Sequence, residues 1–235
     1  TFRPSAALIT SFAPNHLDWH GTEKSYFEDK MRIAARMSGD DVILFPHRLD
    51  RVAAHFAGHP ARRVTFGPGG LVTWDAGRST VVVAENGTRR DWASLGDFRA
   101  RLPYDLRLVE EAFLACAALA WALGLPASGL GPLLEEFRPL PHRIEVVGTS
   151  GGVTFVNDSK STSVDATVFA LGRLERPVVL LLGGKDKGLD FRELLPAARG
   201  RVKAVVAYGQ AAGTIATQLA DELPLHQAGP LDEAL

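Results

Sequence analysis

Pro177-Val178-Val179-Leu180-Leu181-Leu182 runs without a polar residue into Gly183-Gly184-Lys185-Asp186-Lys187-Gly188. An apolar run of this length, closed by paired glycines, reads as a buried strand. Helical spacing lies on both sides of it. A helix is expected over Val164–Arg173 before the strand and another over Phe191–Arg199 after it. A strand at Val202–Ala207, a helix at Ala211–Leu219 and a strand at Leu223–His226 follow. Strands alternating with helices specify parallel βαβ units with right-handed crossovers. Ligands in such sheets bind beyond the carboxyl ends of the strands, which puts the glycine–lysine loop on the functional side.

Upstream, Ile144–Val147 and Val153–Val156 read as a hairpin around Ser150-Gly151-Gly152. Before it, Arg138-Pro139-Leu140-Pro141 is a stiff linker, because each proline pushes its predecessor out of helix. A domain boundary is placed there, giving domains 1–138 and 139–235. In the first, a strand is expected at Ala6–Ser11 and a helix over Glu23–Met37, with Thr22 as its cap. Strands follow at Val42–Phe45, Arg63–Phe66, Leu71–Trp74 and Thr80–Glu85, then helices at Asp105–Leu123 and Leu130–Phe137.

The 235 residues are 46% hydrophobic and 23% charged, enough apolar side chain for a proper core. A formal net charge of -1 offers no global field for nucleic acid or an anionic membrane. No apolar run approaches the roughly 20 residues a bilayer span needs. Thr1-Phe2-Arg3-Pro4 lacks the charged-then-apolar layout of a signal peptide, and Cys116 alone forms no internal disulfide. A cytoplasmic protein is expected. Its strand-like start and the helix-opening Pro230-Leu231-Asp232-Glu233 at its end suggest a fragment of a longer polypeptide.

Three clusters can carry chemistry. Asn157-Asp158-Ser159-Lys160-Ser161-Thr162-Ser163 sits where a strand gives way to a helix. Helix-opening amides attract anions, Lys160 adds a positive charge, and Asp158 suits a ribose hydroxyl or a cation's water shell. The alternative is a solvated loop with Thr162 or Ser163 as helix cap. Gly183–Gly188 is the second cluster, taken to leave an adjacent strand of the same sheet. Its glycines let backbone approach a ligand and its lysines neutralise phosphate or carboxylate, or else they are simply solvated. The third, His16-x-Asp18-x-His20, is either a metal site or a polar turn. Lys30 shares helical spacing with Phe27, Ile33, Ala34 and Met37. On that apolar face it either snorkels or stands as a reactive neutral amine. Arg143, just past the linker, suits a phosphate or adenine face, and His142 beside it reads as structural. No G-x-x-x-x-G-K-[ST] phosphate loop occurs.

Taken together, these residues resemble the Mur ligase family. The diagnostic stretches are Leu140-Pro141-His142-Arg143-Ile144-Glu145, Asn157–Thr162 and Gly183–Gly188, with His16–Gly21 shared more widely. The resemblance implies an α/β fold: a partial central P-loop-type ATPase domain, then a Rossmann-like, doubly wound C-terminal domain. The Asn-Asp-Ser-Lys motif points to the family's D-glutamate-adding branch. That branch joins D-glutamate to UDP-N-acetylmuramoyl-L-alanine through an acyl phosphate, using ATP and two magnesium sites. By the same resemblance His16 is a metal-side residue, and Lys30 is a lysine carbamylated into an anionic metal ligand. Arg143, Asp158 and Lys160 contact ATP, with Lys160 on the phosphate side. Ser159, Thr162 and Lys187 line the D-glutamate pocket. His16, Lys30 and Lys160 are thus the expected catalytic set, in a monomer. The phosphate loop and UDP-binding domain precede Thr1 in that family, and Asp105–Glu111 lacks its adenine-contacting asparagine. This stretch alone is therefore expected to be inactive. The alternatives are another amino-acid ligase of the same family or a non-catalytic nucleotide-binding domain.

Overall fold

The computed structural model describes residues 2–13, 17–96, 98–102, 104–174 and 177–234. The chain divides into two compact units, Thr1–Pro139 and Leu140–Leu235.

In the first unit, Val42-Ile43-Leu44-Phe45 has no exposed face, which is the mark of a parallel strand covered on both sides. It forms β2 (Val42–Pro46) of a six-stranded sheet laid out in chain order: β1 (Ala6–Leu8), β2, β3 (Arg62–Phe66), β4 (Val72–Asp75), β5 (Thr80–Glu85) and β6 (Thr88–Ser94). The first four strands are parallel and the last three form an antiparallel meander. Ile43 and Phe45 pack into one layer with Phe27, Met31, Val52 and Phe56. Those come from α2 (Glu23–Met31) and from α3 (Asp50–His55) with the residue that ends it; α1 (Leu17–His20) precedes them. Val42 and Leu44 pack into the opposite layer with Leu114, Ala117, Ala118 and Leu134. That layer is built by α5 (Glu110–Ala122) and α6 (Leu130–Glu136), which follow the short α4 (Phe98–Arg101).

Three local readings change. The helix expected from Asp105 begins at Glu110, after a 3-10 turn at Leu106–Leu108. The helix expected to reach Met37 ends at Met31, and Arg32–Ala34 continue as a 3-10 turn. The amides of Ala35 and Met37 bond three residues back, and that of Ser38 turns to the Asp41 carboxylate. No α-type ladder is left to propagate. β6 was not anticipated, because Thr88-Arg89-Arg90-Asp91 is exposed and polar, as suits the edge of a sheet. Its signal was the turn Asn86-Gly87, where both residues have positive φ (50° and 77°) as a tight hairpin requires.

The second unit opens with the expected hairpin, β7 (Glu145–Ser150) and β8 (Val153–Asn157), turned by Gly151 and Gly152. Then come α7 (Val164–Leu171), β9 (Val178–Gly183), α8 (Leu195–Ala198), β10 (Val202–Tyr208), α9 (Ala212–Leu219), β11 (Leu225–Gln227) and α10 (Leu231–Ala234). β9, β10 and β11 form a parallel sheet with β10 central. Val205, Ala207, Ile215, Leu219 and Leu194 are its innermost residues. The sequence reading of β9 as a buried strand is corrected: it lies at the sheet's edge, with Val179 55% exposed. The two charged loops do not leave adjacent strands of one sheet either. β8 commits its ladder to β7, from Glu145↔Asn157 to Ser150↔Val153. Among the described residues no helix is long and apolar enough to cross a membrane.

Asp41, buried at the start of β2, accepts from the Ser38 amide at 2.7 Å and from Arg3 at 2.9 Å. The amide first, then the guanidinium, hold its carboxyl below the ordinary value of 3.8. A depressed carboxylate stabilises the fold above its unfolded value, and the contribution is lost as pH falls through the folded value. Asp41→Asn is therefore expected to lower the urea midpoint at pH 7. Its gap from wild type should begin to close as pH drops below about 4, read from paired urea titrations.

Candidate active site

β8 ends at Asn157, and the loop that follows is organised by its own side chains. The Asn157 carboxamide oxygen accepts the Ser159 amide at 3.1 Å. Asp158 accepts the Ile144 amide at 3.0 Å through one carboxylate oxygen and the Ser161 hydroxyl through the other. Ser163, not Thr162, caps α7 by accepting the Ala166 amide. Thr162, Ser159 and Lys160 are left exposed.

The turn that enters β7 is strained and tied to this loop. His142 and Ile144 both have left-handed φ, 64° and 47°, and for a β-branched residue that conformation is an outlier. Glu145 accepts the His142 amide at 2.8 Å, and the His142 carbonyl accepts the Lys160 amide at 3.1 Å. The Asn157 amide group lies 2.8 Å from His142 Nδ1, within hydrogen-bonding distance. Asn157 thus joins the site as a connector between the two segments. An asparagine directly before Asp-Ser, where an Asx turn forms, was its signal in the sequence. Arg143, in the middle of the turn, is exposed.

The second loop is built the same way. A Cβ on Gly183 would lie 2.2 Å from the Tyr208 carbonyl oxygen, so only glycine lets β9 end against β10 here. Gly184 then turns with φ 106°. Asp186 accepts the Thr214 hydroxyl at 2.6 Å and the Gly188 amide at 2.8 Å. The hydroxyl first and the amide second hold its carboxyl below the usual carboxylate range. Lys185 and Lys187 flank it, both exposed. Among the described residues, Arg143, Lys160, Lys185 and Lys187 enter no ion pair. Both loops therefore hold a tied carboxylate beside unneutralised cations, a surface suited to phosphate or carboxylate groups.

In the first unit, His16 lies outside the described residues, so the His16-x-Asp18-x-His20 reading stays open. His20 pairs with Asp29, Nδ1 to Oδ2 at 3.0 Å. Lys30 is exposed, with its Nζ 4.8 Å from the centre of the buried Tyr26 ring, which matches the snorkelling alternative. The buried residues of α2 are Tyr26, Phe27 and Met31. Of the companions expected beside it, Phe27, Ala34 and Met37 are buried and Ile33 is exposed. No group of three or more His, Cys, Asp or Glu among the described residues could hold a metal.

Residues 1–109 match the Mur ligase middle domain and residues 142–234 match the Mur ligase, glutamate ligase domain. The chain belongs to the Mur ligase family. UDP-N-acetylmuramoylalanine--D-glutamate ligase of Acidobacterium capsulatum is 34% identical across 100% of this chain and 51% of its own length. The protein of the same name from Desulfitobacterium hafniense strain Y51 is 36% identical across 90% of this chain and 46% of its own. The chain spans about half the length of the curated relatives it matches. Among solved structures, MurF from Acinetobacter baumannii superposes with a TM-score of 0.67 at 19% identity, covering 97% of this chain and 51% of that one. E. coli FolC in complex with DHPP and ADP gives 0.66 at 18%, covering 98% and 54%. These likenesses establish the mixed α/β Mur ligase fold for both units.

The loop geometry separates residues that hold the site from residues left for a ligand. Asp158→Ala strands the Ile144 amide and should cost about 1–3 kcal/mol. Lys160→Ala, on an exposed and unpaired side chain, should stay within about 0.5 kcal/mol of wild type. Urea unfolding of the two variants reads the difference.

Proposed function

We propose that the complete protein is an ATP-dependent ligase that adds D-glutamate to UDP-N-acetylmuramoyl-L-alanine in peptidoglycan synthesis. The observation that carries this reading is the pair of loops, Asn157–Ser163 and Gly183–Gly188, whose cations have no carboxylate partner among the described residues. They occur in a chain matched along its whole length by relatives named for that reaction. In this reading residues 1–138 are the later part of the ATP-binding domain and residues 139–235 are the ligase domain. The protein acts as a cytoplasmic monomer on small molecules.

The chemistry is a carboxylate phosphorylated by ATP, attack of the D-glutamate amine on the acyl phosphate, and expulsion of phosphate. Positioning and charge neutralisation supply most of such catalysis. Arg143 contacts the nucleotide, and Asp158 does so with the lone pairs that Ile144 and Ser161 leave free. Lys160, on a backbone fixed by the His142 carbonyl, neutralises charge on the transferred phosphoryl group. Ser159, Thr162 and Lys187 receive the amino-acid substrate. Lys30 is taken as the lysine that carbon dioxide carbamylates, with His16 as a further metal-side residue. Magnesium ions at two such positions would offset phosphate charge.

Phosphate release by the complete protein with ATP and UDP-N-acetylmuramoyl-L-alanine is expected to require D-glutamate. Release driven by lysine or meso-diaminopimelate instead would overturn the substrate assignment. Lys30→Ala is expected to lower turnover by about 100-fold or more, with partial recovery on adding a short carboxylic acid. Full activity without the acid would reject the carbamate.

A further inference from the structure

Among the described residues, Asp186 is the one side chain of the Gly183–Gly188 loop that hydrogen-bonds to the rest of the unit, and it reaches a residue 28 positions away. Thr214, in the first turn of α9, donates its hydroxyl to Asp186 Oδ2 at 2.6 Å. Oδ1 accepts the Gly188 amide at 2.8 Å, so the same carboxylate closes the loop on itself. The backbone completes the junction: the Gly184 amide bonds the Tyr208 carbonyl at 3.3 Å and the Ala211 amide bonds the Gly184 carbonyl at 3.1 Å. Both backbone bonds hold only the start of the loop. Its far half, which carries Lys187, runs from Asp186, held by Thr214, to Leu189 and Phe191, which are anchored in the core.

The composition of α9 fits this role. Ala211, which precedes the helix, caps no amide with its side chain, and the first turn, Ala212-Gly213-Thr214, carries no acid. A helix N-terminus favours a nearby anion. Asp186 supplies that anion from the neighbouring loop, and Thr214 is the group in the first turn that grips it. Threonine offers one hydroxyl donor held at a stiff Cβ, so the bond aims the carboxylate rather than merely attracting it.

We propose that Thr214 is a positioning residue for the amino-acid substrate: through Asp186 it fixes the loop that presents Lys185 and Lys187 to the substrate carboxylate. This rests on the reading of the loop as the D-glutamate side of the site. Thr214→Val keeps the shape and removes the donor; Thr214→Ser keeps the donor. In the complete enzyme, Thr214→Val is expected to raise the KM for D-glutamate about tenfold, the scale of a lost charge-assisted hydrogen bond. The KM for ATP should stay within about twofold, and Thr214→Ser should restore the wild-type D-glutamate KM. In the 235-residue chain itself, amide exchange across residues 184–188 should quicken about tenfold in Thr214→Val and not in Thr214→Ser. Unchanged exchange in Thr214→Val overturns the positioning role whatever the substrate is. Faster exchange with an unchanged D-glutamate KM overturns the link to substrate. A wild-type enzyme that ignores D-glutamate rejects the reading of the reaction instead, and the exchange result then decides the positioning role alone.

Discussion

The Asp158 carboxylate carries the site. It satisfies the amide of Ile144, a nearly buried β-branched residue held at φ 47°, and it binds the Ser161 hydroxyl in its own loop. A left-handed β-branched residue costs about 1–3 kcal/mol, and so does a buried amide without a partner. The turn at His142–Ile144 persists because Asp158, Asn157 and Glu145 together outweigh that strain. The start of β7 and the loop after β8 are thereby one piece, although β7 and β8 form only a two-stranded sheet.

The same economy governs the second loop. Asp186 is spent on Thr214 and Gly188, as Asp158 is spent on Ile144 and Ser161. A carboxylate already occupied by donors does not quench the lysine next to it. With a formal net charge of -1, the protein has no long-range pull on anions, so any attraction must be local. Exposed cations are strongly screened beyond about 10 Å. They become selective where a ligand meets several at once, on backbone that does not move. The internal hydrogen bonds meet that condition, and the charges supply the rest.

Much of this was legible in the chain. The parallel βαβ rhythm of the second unit, the Gly151-Gly152 hairpin turn, the Thr22 cap and both charged loops follow from local rules: spacing, turn chemistry and capping. Those rules act over a few residues, so a sequence displays them directly. The Asn86-Gly87 turn was equally local and its strand was missed, because β6 shows a polar edge rather than an apolar alternation.

The rest depended on partners distant in sequence. An apolar run states that β9 can be buried, but which strand sits beside it decides whether it is, and among the described residues only β10 does. Helical spacing placed Lys30 beside an apolar face, but it was the surroundings in space that left its amine exposed over the Tyr26 ring. Nothing near Asp186 marks Thr214, since the contact joins residues from two elements across the end of a sheet. The sequence by itself determined which residue types stand at the strand ends and what chemistry they can perform. The tertiary structure decided which of them are spent on holding the loops and which remain for a ligand, because a side chain's free capacity is set by its neighbours in space.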